Sequence, residues 1–197
     1  MTRPLDGIRI LDMSRILAGP WGTQTMADMG AEVIKVERPV MGDDSRLYGP
    51  PFLKTPAGEA IRQTPMYVCA NRNKRSIAVD YTKPEGRDIL AALADQSDVL
   101  IENYKVGTLQ RYGLGYEALK ARNPRLVYCS LSGYGQTGPY ADRGATDPIV
   151  QAMGGMMSMT GHPEGEPGGT PMKAGPSIID IAAGLYAVVA IQGALYH

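Results

Sequence analysis

The chain of 197 residues holds two histidines, two cysteines, one tryptophan and one phenylalanine, and its 20 basic and 20 acidic residues cancel. Each shortage closes off a class of function. His162 lies in a Gly/Pro loop and His197 is the last residue, so neither a histidine-centred triad nor a metal site is expected. If the chain is an enzyme, a carboxylate is its natural reactive group. Cys69 and Cys129 stand far apart without CxxC spacing, which gives no disulfide framework and no metal cluster, and reduced thiols in the cytoplasm are the expectation. Zero net charge supplies no overall field to draw the chain to nucleic acid or to an anionic membrane, so any anion site must be local. No apolar signal core follows Met1, and the longest apolar run, Ile181 to Tyr196, is broken by Gln192 and glycines and reads as short for a membrane span.

What is present alternates. Ile8–Met13, Glu32–Glu37, Ser76–Asp80, Asp98–Glu102 and Leu126–Leu131 are short and rich in β-branched or apolar residues, as strands are. Helical stretches separate several of them. Pro84–Gln96 carries Pro and Glu85 in its first turn and Ile89, Leu90 and Leu93 as one apolar face, and Gly22–Met29 ends at Gly30, suited to a left-handed cap. This order predicts an α/β domain with a Rossmann-like parallel sheet flanked by helices and its ligand beyond the carboxyl ends of the strands. Two Pro/Gly-rich stretches break the alternation: Arg38–Pro65, read as a surface excursion able to form a lid, and Gly161–Pro176, which leads into Asp180.

Two ligand-binding motifs fail on spacing. Gly19 and Gly22 give G-x-x-G with Pro20 between them, against the G-x-G-x-x-G of dinucleotide folds, although Glu37 stands where their ribose-binding acid would; no Walker A loop is present. Lys35, Arg38 and the Asn71–Arg75 stretch gather cations near strand ends, where they would form either a solvated basic turn or a local phosphate site. Methionines 153, 156, 157 and 159 fit core filling or an adaptable wall for an acyl chain. Asp180, at the mouth of the apolar run, suits a helix N-cap, and it also suits a nucleophile kept ionised by the helix dipole.

Five segments in order then carry a resemblance: Leu5-Asp-Gly-Ile-Arg-Ile-Leu-Asp-Met-Ser-Arg-Ile-Leu-Ala-Gly-Pro20, Gly30-Ala-Glu-Val-Ile-Lys-Val-Glu-Arg-Pro39, Asn73-Lys-Arg-Ser-Ile77, Asp98-Val-Leu-Ile-Glu-Asn-Tyr104 and Ser132-Gly-Tyr-Gly-Gln-Thr-Gly-Pro139. The chain closely resembles the family III coenzyme A-transferases, over about the first half of a member. The resemblance implies that residues 1–197 form a CoA-binding Rossmann-like large domain, truncated at its carboxyl end, from an enzyme whose full-length form is a homodimer of interlocked rings. It implies coenzyme A or acyl-CoA as substrate with no tightly bound cofactor, a carboxylic acid as acceptor, and partners that include neither nucleic acid nor membrane.

On the same ground Asp180, four residues before Gly184, matches the family's catalytic nucleophile. Arg38, Asn73, Lys74, Arg75, Asn103, Tyr104 and Arg111 match positions that bind CoA, with Arg38 and Lys74 foremost. Leu17, Tyr134 and Gln136 are implied in the substrate pocket. Leu17 replaces a glutamine of formyl-CoA transferase, which argues against oxalate chemistry. Thr146-Asp147 stands where the family's racemases carry His-Asp, and threonine cannot serve as an α-proton base. CoA transfer is the expected activity. The other readings are an acyl-CoA racemase or epimerase and a non-catalytic CoA-binding fragment.

Overall fold

A computed structural model describes residues 2–197. Five parallel strands, β1 (Arg9–Asp12), β2 (Glu32–Glu37), β3 (Lys74–Ala78), β4 (Val99–Glu102) and β5 (Val127–Ser130), form one sheet in the order β3-β2-β1-β4-β5. Successive residues of β1 serve opposite faces. Ile10 packs with Val33, Val99 and Ile101 beneath helices α1 (Ala18–Asp28) and α6 (Ile178–Tyr196). Leu11 packs with Val36, Leu100, Leu90 and Leu119 beneath helices α3 (Pro84–Asp95) and α4 (Tyr116–Arg122). The expected α/β architecture is the observed one. Strand order reverses at β1, and ligands of such sheets sit beyond the carboxyl ends at that point.

Several boundaries differ from the sequence reading, each for a physical reason. Helix α1 begins four residues earlier than Gly22, because Pro20 falls in the first turn, where its missing N–H is not needed. Gly30, at φ +110°, turns the chain out of α1 as expected. Strand β3 begins at Lys74 and not at Ser76: Lys74 and Arg75 pair with Val33 and Ile34, so two of the five residues of the supposed basic turn are sheet. On α3 the buried face is Gly86, Leu90 and Ala94, and Ile89 is half exposed. Helix α2 (Pro65–Asn71), capped by the Thr64 side chain, starts at the end of the stretch read as a loop. Helix α5 (Asp147–Met153) follows β5.

Helix α6 is longer than the sequence suggested. An 18-residue window of its 19 residues has a mean hydropathy of 1.9, enough by length and composition to cross a membrane. Its packing accounts for that composition on one side: Gly184, Ala187, Val188 and Ile191 lie on the sheet and α1. Two glycines set the distance between α1 and α6. A Cβ on Gly184 would stand 2.4 Å from the Ala18 carbonyl oxygen, and one on Gly22 would stand 2.8 Å from the Gly184 carbonyl oxygen. The backbones meet there with no room for a side chain, one turn from Asp180.

Candidate active site

Asp180 is the third residue of α6 and sits half-buried in a cleft of about 390 Å³ beyond the carboxyl ends of β1, β4 and β5. The sequence left it open whether Asp180 caps its helix. It does not. Ser177 holds the cap position without a side-chain bond, and the capping carboxylate comes from another element. Asp147, buried at the start of α5, accepts the N–H of Ile179 at 2.8 Å and that of Asp180 at 3.3 Å through Oδ1. Its Oδ2 accepts from the Gln151 amide, whose own Oε1 accepts the Ala174 N–H at 2.9 Å and so ties down the end of the Gly/Pro loop.

Asp180 keeps both oxygens free of donors among the described residues. Burial, then the neighbouring charge of Asp147, push its carboxyl up to about 6. The dipole expected to hold it low is already satisfied by Asp147. A carboxyl of that pKa is roughly nine-tenths ionised at pH 7 and more basic than an ordinary aspartate, which suits nucleophilic attack.

The opposite wall is the β1–α1 connection, held in an unusual shape. Ile16 has φ +69°, a left-handed conformation that is costly for a β-branched residue. Two side chains over-determine it. Asn103 accepts the Arg15 N–H and donates to the Arg15 carbonyl, both at 2.8 Å, and Asp43 accepts the Ile16 N–H at 3.1 Å. Asp43 is itself fixed by the fully buried Lys35 ammonium at 2.8 Å. A smaller lobe of about 210 Å³ adjoins the cleft, shares Ala18, Asn103 and Asp180 with it, and closes on Leu131, Val150 and Ala183. Asp180 thus stands between the cleft that holds the cations Arg15, Lys105 and Arg143 and a smaller lobe that holds none of them.

The sequence profile of CoA-transferase family III matches residues 5–197. The chain belongs to that family. It is 52% identical over 194 residues to the succinate–glutarate CoA-transferase of Agrobacterium fabrum, covering 98% of this chain and 47% of that protein. It is 47% identical over 193 residues to the human succinyl-CoA:glutarate CoA-transferase, covering 98% of this chain and 42% of the human protein. A crystal structure of a CAIB/BAIF family protein from Brucella suis superposes with a TM-score of 0.91 at 49% identity, over 100% of this chain and 50% of that one. The chain spans about half the length of the curated relatives it matches.

In this family III chain, four of the residues expected in the nucleophile, CoA or substrate sites meet in the Asp180 cleft, Leu17, Asn103, Tyr104 and Asp180, together with the Thr146-Asp147 pair. Tyr104 lies edge-on to Tyr81, with the Arg15 guanidinium 5.1 Å from its ring centre. The others lie elsewhere. Arg38 pairs with Asp44 and lines a second, open depression of about 300 Å³ with Arg46 and Arg62. Glu37, placed at the ribose position by the sequence, is engaged by Arg46, Ser76 and Tyr67.

Lys74 corrects the expectation most. Its ammonium is buried, donating to Asp12 at 3.0 Å, the Pro20 carbonyl at 2.8 Å and Asn71 at 3.0 Å. All three donors are spent inside the fold, so none is offered to a phosphate in this conformation. Burial would raise the Asp12 carboxyl, but Lys74, Lys35 and the Ser14 and Thr23 hydroxyls bring it down to about 2. Burial likewise pushes Lys74 down to about 8 against the pull of Asp12.

Asn73, at φ +62°, binds Asp28 at 2.7 Å, and Arg75 pairs with Glu32 on the sheet edge. Arg111 is exposed and donates to its own Gly107 carbonyl at 3.3 Å. Tyr134 stacks edge-on with Tyr140, and Gln136 bonds Ser132; neither lines the Asp180 cleft. Nor do the methionines of the 153–159 cluster, whereas Met66 does. Sequence reasoning missed Arg15, Lys105 and Arg143 on the cleft wall, and it weighed Asp147 only as half of an absent His-Asp pair.

Proposed function

We propose that this chain carries the nucleophile-bearing part of a CoA-transferase that moves coenzyme A from an acyl-CoA to a free carboxylic acid, with Asp180 as the covalent nucleophile. The observation that carries the reading is the bare Asp180 carboxylate, with its pKa raised to about 6 and both oxygens unpaired at the head of a helix that Asp147 caps. Identity near 50% to proteins named for transfer between succinate and glutarate supports four- and five-carbon acids as the substrates.

The reaction balances with no cofactor. An Asp180 oxygen attacks the thioester carbonyl carbon, and the C–S bond breaks with its electron pair leaving on the CoA thiolate. The thiolate then attacks the aspartyl carbonyl of the mixed anhydride, releasing the donor acid as its carboxylate and leaving an aspartyl-CoA thioester. The acceptor carboxylate attacks that thioester and expels the thiolate, forming a second anhydride. Thiolate attack on the acceptor's acyl carbon yields the new acyl-CoA and restores Asp180. Each intermediate is an activated acyl species, which divides one difficult exchange into matched steps. Asp147 is not a proton carrier here, because its oxygens hold backbone N–H groups and Gln151. The full-length protein is proposed as a homodimer, on the family resemblance alone.

The test is intact mass after incubation with succinyl-CoA and glutaryl-CoA, beside Asp180→Ala. A CoA-sized, hydroxylamine-sensitive adduct present in the wild type and absent in the variant is expected. An adduct that persists in Asp180→Ala would overturn the assignment.

A further inference from the structure

Three cations line the Asp180 cleft: Arg15, Lys105 and Arg143. Arg15 is committed, donating to Asp44 at 3.0 Å with its guanidinium over Tyr104. The other two are different. Neither Lys105 nor Arg143 is within ion-pair distance of a carboxylate among the described residues, while Arg3, Arg9, Arg38, Arg46, Arg72 and Arg122 all are. They are nonetheless placed together. Lys105 Cε lies 3.5 Å from where a Cβ on Gly144 would stand, so its stem runs along the backbone beside Arg143. The Arg143 guanidinium carbon lies over the Tyr140 ring, 4.2 Å from its centre, and the guanidinium N–H groups make no hydrogen bond to a described residue.

Two unpaired like charges from loops distant in sequence meet on the wall of a cleft whose floor is a nucleophilic carboxylate. A guanidinium is suited to bidentate capture of a carboxylate, and the neighbouring ammonium adds a point charge. We infer that Arg143 and Lys105 hold the far carboxylate of a dicarboxylic acid while its near carboxyl, free or as a thioester, is presented to Asp180. The pair is thus a specificity determinant, and this rests on the transferase reading above. The same cations would also suit a CoA phosphate, and the two sources separate by experiment.

Equilibrium binding of glutarate, of pentanoate and of CoA to the chain is measured by calorimetry, for wild type, Arg143→Gln with Lys105→Met, and Arg143→Lys. Both side chains are exposed, so the variants keep the fold, which circular dichroism checks. The wild type is expected to favour glutarate over pentanoate by about tenfold or more, since a site built around a polar group rejects the analogue lacking it. The double variant is expected to bring that ratio to about one with CoA affinity unchanged, and Arg143→Lys to recover part of it. A ratio that the double variant leaves intact refutes the inference. So does a loss confined to CoA, which would assign the pair to a phosphate. Failure here with an adduct still formed on Asp180 leaves transfer standing, whereas absence of both dicarboxylate preference and adduct removes both.

Discussion

Replacing Asp180 with asparagine should make the protein more stable, and only above mildly acidic pH. Burial and the charge of Asp147 raise the folded-state carboxyl from 3.8 to about 6, so the folded chain holds this proton more tightly than the unfolded chain does. The stability tied to that proton is fully present below pH 3.8 and is lost as pH rises through about 6. At full burial the shift would correspond to about 3 kcal/mol. Asp180 is only about half-buried, so water screens much of it and about 1 to 1.5 kcal/mol is the reasonable magnitude. Asparagine has the same shape and no charge to lose. Thermal melts of both proteins from pH 4 to 8 should therefore coincide near pH 4, draw apart between pH 4 and 6 and keep a constant separation above that, the variant melting about 3–5 °C higher. A constant difference across that range, or a variant that is less stable at pH 8, would refute the view that Asp180 is held ionised at a cost.

Three further outcomes follow from single contacts. Asp147→Ala removes the acceptor for two N–H groups of α6 and should cost about 2 kcal/mol in a urea titration. It should also lower the pKa of Asp180 by removing a like charge, read from the Asp180 carboxyl carbon shift by NMR; an unchanged titration would show that Asp147 does not act on it. Lys74→Met leaves Asp12 buried with one cation fewer and should cost about 3–5 kcal/mol, a loss under about 1 kcal/mol contradicting the sealed pair. Gly184→Ala puts a Cβ 2.4 Å from a backbone oxygen, so α6 must shift. A net loss of about 1–3 kcal/mol is expected despite alanine's better helix propensity, and a stabilised variant would refute the close approach.

The sheet was legible because its signal is local. Ile10 and Leu11, or Leu100 and Ile101, are apolar on both sides of a strand that is covered on both faces, and a single segment displays that. Asp180 was legible for a similar reason, since a Gly/Pro loop running into an apolar helix marks its own junction. What the sequence hid was pairing at a distance. Lys74 reads as a basic turn residue until β3 registers against β2 and carries the ammonium to Asp12, 62 positions away. Asp147 reads only as half of a missing His-Asp pair, and only folding brings it to a helix that starts 31 residues later. Lys105 and Arg143 likewise become neighbours only through Gly144.

The division of labour between Asp147 and Asp180 leaves an aspartate at a helix start with both oxygens bare, as the proposed nucleophile requires. Had Asp180 capped its own helix, its oxygens would accept backbone N–H bonds, and bonds to the charged form lower a carboxyl's pKa and occupy the lone pairs that must attack carbon. Supplying the cap from α5 satisfies the helix with one carboxylate and leaves the next one bare. Burial first, and then the same charge that caps α6, keep Asp180 basic without a hydrogen bond. The Gly22–Gly184 contact is the mechanical complement, because it holds the start of α6 against α1 closely enough for Ala18 and Asp180 to border one cleft. Moving the cap to Asp180, for example by Asp147→Ser with its shorter reach, should therefore lower activity more than it lowers stability.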